Sequence, residues 1–382
     1  MNFRADRDFA IEQDRADPLA AYRDQFHLPH SAGDEPDIYL CGNSLGLQPK
    51  TTQAWVAQEL ADWARLGVKG HLEARHPWLP YHELVTDKLA EVVGAEPAEV
   101  VAMNTLTVNL HLMMVSFYRP DARRYKIMIE RSAFPSDRYA VESQIRWHGY
   151  DPATALVEVG RPDGTIDLAE IESVIARERD SLALVLLPGV QYLSGECLPM
   201  AAIAKLAHDA GASVGFDLAH ATGNVPLALH DWNADFAVWC HYKYMNSGPG
   251  AVGGCFVHAR HAQADLPRFS GWWGHDKTTR FAMRPQFHAI PGAEGWQLSN
   301  PPILSLAPLA ASLEIFAAAG MPALRQKSVR LTAYLEYLLR QKLEGKVAIV
   351  TPEDPDARGC QLSLRLALNR EQAQTVFERL AA

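Results

Sequence analysis

Two apolar runs, each leading to a reactive side chain, constrain the fold of this chain most strongly. The run 212–216 ends at Asp217, and the run 236–240 leads to Lys243, 26 residues after the aspartate. Continuous apolar runs of this length are typical of strands buried on both faces of a parallel sheet. Because open α/β sheets bind ligands at the carboxyl ends of their strands, we expect the acid and the lysine to share one site. A chance surface lysine and a loop aspartate on the same sheet are the alternative that spacing alone leaves open.

The acid and the lysine together suit pyridoxal 5′-phosphate. A lysine amine condenses with the cofactor's aldehyde, and an acid keeps the pyridine nitrogen protonated so that the ring accepts electrons. The stretch 244–254 after the lysine is rich in glycine, which lets the backbone approach a ligand closely. Upstream, Thr107 is expected to cap a helix over 108–118, whose free N–H groups would hold a phosphate. An ordinary capped helix explains Thr107 alone, and it is the order of the three features along the chain that favours the cofactor.

Composition disfavours several other classes of function. The 382 residues are 48% apolar and 21% charged, which is ordinary for a globular protein with one large and one smaller domain. The 36 basic and 45 acidic residues give a net charge of −9, which disfavours nucleic acid and anionic membranes as partners. The first 20 residues show no secretory pattern, and no apolar run approaches the ~20 residues of a membrane span. Five scattered cysteines, and histidines without metal-ligand spacing, predict a reduced cytoplasmic protein with no metal site.

The order of the predicted elements favours a mainly parallel α/β sheet. Between 99 and 258 strands alternate with helices: strands are expected at 99–103, 125–130, 183–187, 212–216, 236–240 and 254–258, and helices at 136–148 and 200–210. Beyond Ile303 long helices predominate, with strands expected at 347–351 and 360–366. Pro301 and Pro302 disfavour α conformation in the residues before them, so we place a domain change near residue 300.

Stretches spread over nearly the whole chain match one family. They are Leu-Cys-Gly-Asn-Ser-Leu-Gly-Leu at 40–47, the segment 103–109, Phe-Pro-Ser-Asp at 134–137, the segment 214–224 with Asp-Leu-Ala-His, His-Asp-Trp at 230–232, the segment 239–254, Ser-Gly-Trp-Trp-Gly-His at 270–275, Gln-Leu-Ser-Asn-Pro-Pro at 297–302 and Arg-Gly-Cys-Gln-Leu at 358–362. In these stretches the chain resembles the kynureninases, which are pyridoxal-phosphate enzymes of the class V aminotransferase superfamily with the aspartate-aminotransferase fold. Asp-Leu-Ala-His and Gly-Trp-Trp-Gly-His are more specific than any glycine motif.

The resemblance implies a fold and a division of the chain. The fold is type I of the pyridoxal-phosphate-dependent transferases, α/β with a mainly parallel seven-stranded sheet sandwiched by helices and a smaller α+β domain. Residues 1–50 are then a segment that packs with the small domain and covers the site, 51–299 the large cofactor-binding domain, and 300–382 the small domain. Family members continue past a helix like 370–380 into a further strand, so we expect the small domain to be incomplete and locally less stable. A homodimer with composite active sites is also implied.

The resemblance assigns the cofactor contacts residue by residue. Lys243 is the lysine that bonds to the cofactor, Asp217 pairs with the pyridine nitrogen, and Tyr242 contacts the phosphate and can deliver protons. The other contacts that it implies are backbone N–H groups of Leu106 and Thr107 at the phosphate, Phe134 on the ring face with Pro135, Ser136 and Asp137 in the same loop, His220 near the phenolic oxygen, and Trp272 and Asn300 from the partner subunit.

Several of these assignments have structural alternatives. His220 is either a cofactor contact or a satisfied core histidine, and one of the adjacent Trp272 and Trp273 is either a contact or core. Pro188 stands where family members often carry a small hydroxyl residue, so a side-chain contact to the cofactor is expected to be absent or made by backbone.

The resemblance also assigns the substrate contacts. Arg358 is the candidate for the substrate's α-carboxylate, because a guanidinium can bind a planar acid through two hydrogen bonds. A solubilising charge at a strand end is the alternative. Asn43 and Ser44 lie in an N-terminal loop that the family folds over the site, and His71 is implied to contact the substrate's aromatic ring.

Three functions are compatible with these residues. The resemblance implies hydrolytic Cβ–Cγ cleavage of L-kynurenine or 3-hydroxykynurenine to anthranilate or 3-hydroxyanthranilate and L-alanine, in tryptophan catabolism and NAD biosynthesis. The alternative is a cysteine desulfurase or a class V aminotransferase. Those enzymes usually carry Gln where His220 stands, and a desulfurase needs a cysteine on a mobile loop, whereas Cys360 is expected in a strand. A non-catalytic cofactor-binding relative is least favoured, because Lys243, Asp217 and Arg358 are all present.

Overall fold

A seven-stranded sheet forms the centre of the chain. The structure, a computed structural model, describes residues 2–31 and 33–381. In these residues the strands of the large sheet are β1 (Val100–Ala102), β2 (Lys126–Glu130), β3 (Leu156–Val159), β4 (Leu182–Pro188), β5 (Ser213–Asp217), β6 (Phe236–Cys240) and β7 (Gly253–Val257). A second, antiparallel sheet consists of β8 (Val347–Ile349) and β9 (Leu364–Leu366).

The α-helices surround this sheet and continue beyond it. In the described part of the chain they are α1 (Arg7–Arg15), α2 (Thr52–Leu66), α3 (Gly70–Glu73), α4 (Glu83–Val93), α5 (Leu106–Phe117), α6 (Pro135–Trp147), α7 (Pro152–Ala155), α8 (Leu168–Glu178), α9 (Met200–Asp209), α10 (Ile303–Ala319), α11 (Met321–Lys342) and α12 (Arg370–Ala381). Helices separate most neighbouring strands in sequence, because a pair of parallel strands needs a crossover connection.

The strand order across the large sheet is β1-β7-β6-β5-β4-β2-β3. Five of these strands, β2 to β6, pair with one another in parallel, and β7 runs antiparallel to both of its neighbours, β1 and β6. The predicted mainly parallel seven-stranded sheet is therefore confirmed. The register sets Asp217, the last residue of β5, opposite Pro188 of β4 and Val238 of β6, so that the ends of neighbouring strands meet at one edge.

Helices cover both faces of the sheet, which explains why its strands are apolar along their length. Successive residues of β4 alternate between two buried clusters, with Val185 and Leu187 on one side and Leu184 and Leu186 on the other. Apolar side chains of α4, α8, α9 and α10 complete the first cluster, and those of α5 and α6 complete the second. A charged side chain in the interior of these strands would be costly on either face, so polar groups return only at the strand ends.

The N-terminal segment contacts the C-terminal helices. The rings of Phe3 and Phe9 each lie 5.5 Å from that of Tyr334 in α11, and Asp17 forms an ion pair with Lys327 of the same helix. Helix α10, which follows residue 300, packs against α2 and α4 and contributes to the core of the large sheet. The division of the chain at residues 50 and 300 stays a prediction.

Two local predictions were wrong. Thr107 does not cap α5, because the helix already begins at Leu106 and Thr107 lies in its first turn, where its hydroxyl contacts Ser136 instead. Cys360 does not lie in a strand, since β9 begins only at Leu364. The N–H of Cys360 donates to the side chain of Asn224, at 2.9 Å, rather than to a neighbouring strand.

No single helix among the described residues combines the length and the apolar composition needed to cross a membrane. Helices α10 and α11 meet both criteria only when they are taken together, and the chain bends by 81° between them. About half of the side chains of α10 are buried in the core.

Candidate active site

One cavity at the carboxyl ends of β2, β4, β5 and β6 collects most of the predicted cofactor residues. Of those residues, its lining includes Leu106, Thr107, Phe134, Ser136, Asp137, Asp217, His220, Tyr242 and Lys243. They come from four separate stretches of sequence, and the shared direction of the strands brings the loops after them to the same edge of the sheet.

Lys243 is held on a tight turn after β6. The N–H of Asn246 donates to the carbonyl of Lys243 at 3.1 Å, and Asn246 adopts a left-handed conformation with φ of 52°. The N-terminal loop lies against this turn, because the N–H of Gly46 donates to the carbonyl of Tyr242 at 2.8 Å. A Cβ atom on Gly46 would collide with the backbone of Lys243, so this close approach requires glycine.

The side chains of Lys243 and His220 contact each other directly. Nζ of Lys243 lies 2.8 Å from Nε2 of His220. Burial, reinforced by the charge of the lysine, lowers the pKa of His220 to about 3, so its ring is neutral at physiological pH. Its Nδ1 is buried and has no hydrogen-bond partner within the described chain. Buried polar atoms are normally hydrogen-bonded, and His220 lines the cavity, so its unpartnered nitrogen favours a ligand atom beside it.

Three buried carboxyl groups, those of Glu130, Asp137 and Asp217, line the same cavity. Oδ1 of Asp217 accepts a hydrogen bond from the N–H of Ala219 at 2.7 Å. Burial, and then the charge of Asp217, raises the pKa of Asp137 well above its ordinary value. Burial also raises the pKa of Glu130 to about 8. Three acids beside the single lysine of the lining favour a further cation in the cavity, and a protonated pyridine nitrogen would supply it.

The first turn of α5 offers an anion site. Thr105, the residue before the helix, makes no capping bond through its side chain, so the N–H groups of Leu106 and Thr107 have no side-chain cap. Oγ1 of Thr107 lies 2.7 Å from Oγ of Ser136, which brings the start of α6 to the same end of the cavity. Free amides and hydroxyls suit a phosphate. The helix start, the acids and the lysine thus fit the phosphate, the ring nitrogen and the aldehyde of pyridoxal 5′-phosphate.

Aromatic side chains form the wall between these groups. Phe134 and Tyr192 meet edge to face with their ring centroids 5.5 Å apart, and Nζ of Lys243 lies 5.9 Å from the centroid of Phe134. Half of the surface of Phe134 is exposed, which leaves a ring face free for stacking. Burial raises the pKa of Tyr242, so that its hydroxyl stays protonated and can donate.

Trp272, Asn300 and Pro135 do not line this cavity. Trp272 is 42% exposed and Trp273 is fully buried, so the core residue of the pair is Trp273. Asn300 is exposed and belongs to a separate surface pocket that also includes Thr105. Exposed side chains of this kind are free to meet another subunit, which is where the sequence predicts their contacts.

Arg358 is buried outside the cavity lining. Its Nη1 donates to Oε2 of Glu336 at 2.8 Å and to the carbonyl of Pro352 at 3.0 Å, while its Nε is buried without a partner among the described residues. The alternative of a solubilising charge is wrong, because Arg358 is only 2% exposed. A role at the substrate carboxylate stays a prediction.

The other predicted substrate residues lie on two peripheral segments. His71 in α3 packs edge to face against Trp78 with the ring centroids 5.5 Å apart. Asn43 and Ser44 lie in a turn closed by a 2.9 Å hydrogen bond from the N–H of Ser44 to the carbonyl of Cys41. Neither segment reaches the lining of the lysine cavity.

The cavity lining also contains Glu130, Tyr192 and Pro188, which sequence reasoning did not assign to the cofactor. Glu130 ends the apolar strand β2 just as Asp217 ends β5, so the same sequence signal could have identified it. Tyr192 lies in an irregular loop after β4, where no pattern marks it. Pro188 ends β4 and brings no hydrogen-bond donor, as expected for this position.

The buried acids predict an unusual pH dependence of the apoprotein's stability. The pKa of Glu130 rises from 4.5 to about 8 on folding, so the folded apoprotein binds more protons than the unfolded chain between these values. The free energy of unfolding should therefore fall as the pH rises from 5 to 8, by on the order of 3–5 kcal/mol for this group. Urea denaturation of the apoprotein across this range measures the fall.

Glu130→Gln is the matched variant for that measurement. An amide of the same size does not titrate, so the variant should lose less stability than the wild type between pH 5 and pH 8. Equal losses in the two proteins would show that Glu130 titrates normally.

Comparisons with known proteins agree with this arrangement. The sequence profile of the family described as aminotransferase class-V matches residues 38–376. A protein named kynureninase from Xanthomonas campestris pv. campestris (strain B100) is 60% identical over 376 residues, which are 98% of this chain and 88% of the relative. The kynureninase of Xanthomonas oryzae pv. oryzae (strain PXO99A) is 60% identical over 371 residues, or 97% of this chain and 88% of the relative.

Solved structures of cysteine desulfurases share the fold. The desulfurase CsdA from Escherichia coli superposes with a TM-score of 0.73 at 18% identity, covering 94% of this chain and 86% of that one. The apo cysteine desulfurase from Thermococcus onnurineus NA1 gives a TM-score of 0.70 at 18% identity, covering 96% and 85%. At this identity the similarity concerns the fold alone.

Proposed function

Because this chain belongs to the kynureninases of the class-V aminotransferase family, we propose that it cleaves L-kynurenine hydrolytically between Cβ and Cγ, giving anthranilate and L-alanine. It is an enzyme that depends on pyridoxal 5′-phosphate. The observation that carries the proposal is the convergence of a lysine, a neutral histidine with one unpartnered ring nitrogen, and three buried acids at the strand ends. The chain is also 60% identical to a kynureninase over 98% of its length.

Lys243 and Asp217 have the central roles. When bound, the cofactor supplies a cationic ring that stabilises negative charge on the neighbouring substrate carbons. The carboxylate of Asp217, held by the N–H of Ala219, would keep the ring nitrogen protonated. Nζ of Lys243 is the amine that would hold the resting cofactor, and as a free amine it would move the proton at Cα of the substrate.

Tyr242 and His220 complete the chemistry at the ends of the cofactor. The hydroxyl of Tyr242 is protonated and supplies a proton to the carbon released by cleavage, after water has added to the γ-carbonyl of the substrate. His220 is neutral and its Nε2 contacts Lys243, so Nδ1–H, which has no partner among the described residues, would donate to the phenolic oxygen of the cofactor. Because Nε2 of His220 accepts a hydrogen bond from Lys243, the proton of the neutral ring lies on Nδ1, which is therefore the donor.

Substrate assays test this function directly. The purified protein with pyridoxal 5′-phosphate should release anthranilate, followed by its fluorescence, from L-kynurenine, and parallel incubations with 3-hydroxykynurenine give the preference between the two. L-Cysteine should release no sulfide, because the backbone N–H of Cys360 is held by the side chain of Asn224, whereas a desulfurase needs its cysteine on a mobile loop. Sulfide without anthranilate would overturn the proposal in favour of a desulfurase.

Arg358 is the residue that we propose for the substrate's α-carboxylate. Its Nε has no partner, so a bound carboxylate would complete the hydrogen bonding of the guanidinium. Arg358→Gln should raise KM for L-kynurenine strongly, because losing a desolvated charged contact costs on the order of 2–5 kcal/mol, while the absorbance of the bound cofactor stays normal. Glu336→Gln removes the ion pair but keeps the guanidinium, and serves as the control for damage to packing alone. An unchanged KM in Arg358→Gln would locate the carboxylate elsewhere.

We also propose a homodimer in which each site takes Trp272 and Asn300 from the other subunit. Mixing Lys243→Ala protein with Asn300→Ala protein should then restore activity, because each hybrid dimer contains one site with both residues intact. Random exchange would restore about a quarter of the wild-type activity. Lys243→Ala mixed with Asp217→Ala is the matched control, since both residues line the cavity of one chain and no hybrid site is complete. Equal activity in the two mixtures, after verified subunit exchange, would contradict the composite site.

A further inference from the structure

Glu130 is a buried acid for which the site described so far has no use. It is the last residue of β2, is 7% exposed, and lines the cavity of Lys243. Within the described chain no lysine, arginine or histidine forms an ion pair with it. The hydrogen-bond donor that faces its carboxyl group is its own backbone N–H. An ionised carboxylate in this position would be costly, so the group either stays protonated or awaits a cation.

Buried acids outside this cavity are engaged by donors. Glu59 accepts hydrogen bonds from His76, Trp78 and Tyr81, at 2.9–3.1 Å. Asp235 is contacted by His208, His261 and Arg260. Since buried polar groups are normally satisfied, the difference marks Glu130 as a group whose partner arrives with a ligand.

The neighbours of Glu130 show what that ligand would change. The titratable side chains that share its cavity are Asp137, Tyr192, Asp217, His220, Tyr242 and Lys243. The charge of Asp217 disfavours ionisation of Glu130, and Glu130 in turn disfavours ionisation of Asp137. Lys243 contacts His220 and does not pair with Glu130. The acids therefore compete for too little positive charge until another cation enters.

We propose that Glu130 is a positioning residue for the cofactor ring: it is an uncharged acid in the apoprotein and releases its proton to solvent when a cationic pyridine ring binds beside Asp217. This inference rests on the proposed function only for the identity of the ring. In the apoprotein the protonated Glu130 adds no charge to the cavity, which favours folding without the ring. In the complex its carboxylate adds a negative charge, which helps to hold the cationic ring. Burial, followed by the charge of Asp217, raises the pKa of Glu130 to about 8, in agreement with a protonated group before binding.

The test uses 4-deoxypyridoxine 5′-phosphate, which keeps the ring nitrogen and the phosphate but has no aldehyde to react with Lys243. Calorimetric titration of the wild-type apoprotein at pH 7.5, in two buffers of different ionisation enthalpy, counts the protons released on binding. Glu130→Gln should release fewer, by about half a proton to one proton. The wild-type Kd should also fall more steeply between pH 6.5 and 8.5 than that of the variant, and ionisation of the ligand's own phosphate cancels in this comparison.

Glu196→Gln is the matched control. Burial raises the pKa of Glu196 as well, but this acid lies outside the cavity and accepts from the N–H of Ile166 at 2.8 Å. It should release as many protons as the wild type and show the same pH dependence of Kd. Equal proton release and parallel Kd curves in wild type and Glu130→Gln would overturn the proposal, as would a loss of proton release in Glu196→Gln equal to that in Glu130→Gln.

A measurement on the wild-type protein covers the case in which Glu130→Gln does not fold. Infrared difference spectra of protein labelled with ¹³C-glutamate should show the band of a protonated glutamic acid disappearing on ligand binding, and its persistence would overturn the proposal. Anthranilate formation is assayed on the same preparations. Proton release without anthranilate would sink the proposed function and leave the role of Glu130 standing, and anthranilate without differential proton release would do the reverse.

Discussion

Lys243→Ala protein will be almost inactive yet still bind the cofactor reversibly, and we expect kcat to fall by at least about 10³-fold. Nζ of Lys243 is the one primary amine in the described cavity lining. In the proposed mechanism its loss removes both the covalent link to the cofactor and the base that moves the Cα proton. The N–H groups of Leu106 and Thr107 and the carboxylate of Asp217 remain, so phosphate and ring nitrogen keep their contacts. Anthranilate formation at saturating cofactor measures the first effect, and loss of cofactor absorbance on dialysis measures the second.

His220 provides an internal check on the same variant. The charge of Lys243 is the smaller of the two causes that lower the pKa of His220, after burial. Removing the lysine should therefore raise this pKa above about 3 while leaving it below the ordinary 6.5, which NMR of the histidine ring can follow. Lys205→Ala, at an exposed lysine paired with Asp209, is the control and should keep normal turnover. Normal turnover in Lys243→Ala would contradict the assignment of Lys243 as the lysine that bonds to the cofactor.

The strand-ending acid and lysine were predictable because burial on both faces dictates the strands. A sheet covered by helices on each side excludes charge from β5 and β6, so the first charged side chain after each apolar run marks the edge where ligands bind. The same rule applies to β2, whose run ends in Glu130. A lone acid after a strand is usually solvated, and only the packing of α6 and β4 around β2 shows that this one is buried.

Other features depend on contacts that no local pattern encodes. Thr105 and Thr107 are equally good caps by type, and the helix begins at Leu106 because Asn109 bonds back to the carbonyl of Thr105 at 2.9 Å. Arg358 is buried because α11 presents Glu336 to it, 22 residues earlier in the chain.

The adjacent tryptophans were also undecided by sequence. One short helical turn, 272–274, puts Trp273 in the interior and leaves Trp272 partly exposed. In each of these cases the residue type indicated a possible role, but the sequence did not indicate which residue it would contact, because that contact is set by tertiary packing.

Asp217→Ala will cost more activity than His220→Ala. We expect kcat/KM to fall by about 10²–10³-fold for the aspartate variant, the range seen when a group that stabilises developing charge is removed. In the proposed site the carboxylate of Asp217 would face the ring cation and make a charge-assisted bond, which is roughly twice as strong as a neutral one. His220 is neutral at physiological pH, so it offers only a neutral hydrogen bond.

Asp137 makes this comparison sharper. The charge of Asp217 helps to raise the pKa of Asp137, so in Asp217→Ala the pKa of Asp137 should fall and its carboxylate should take over part of the lost charge. The double variant Asp137→Ala/Asp217→Ala should therefore be less active than the product of the two single effects predicts. We would measure kcat/KM at saturating cofactor for both single variants, the double variant and His220→Ala. If His220→Ala proves the most damaging of the four variants, the ring nitrogen is not paired with Asp217. The acid that keeps the ring protonated must then be Asp137 or Glu130, because these are the only other carboxyl groups in the described lining of the cavity.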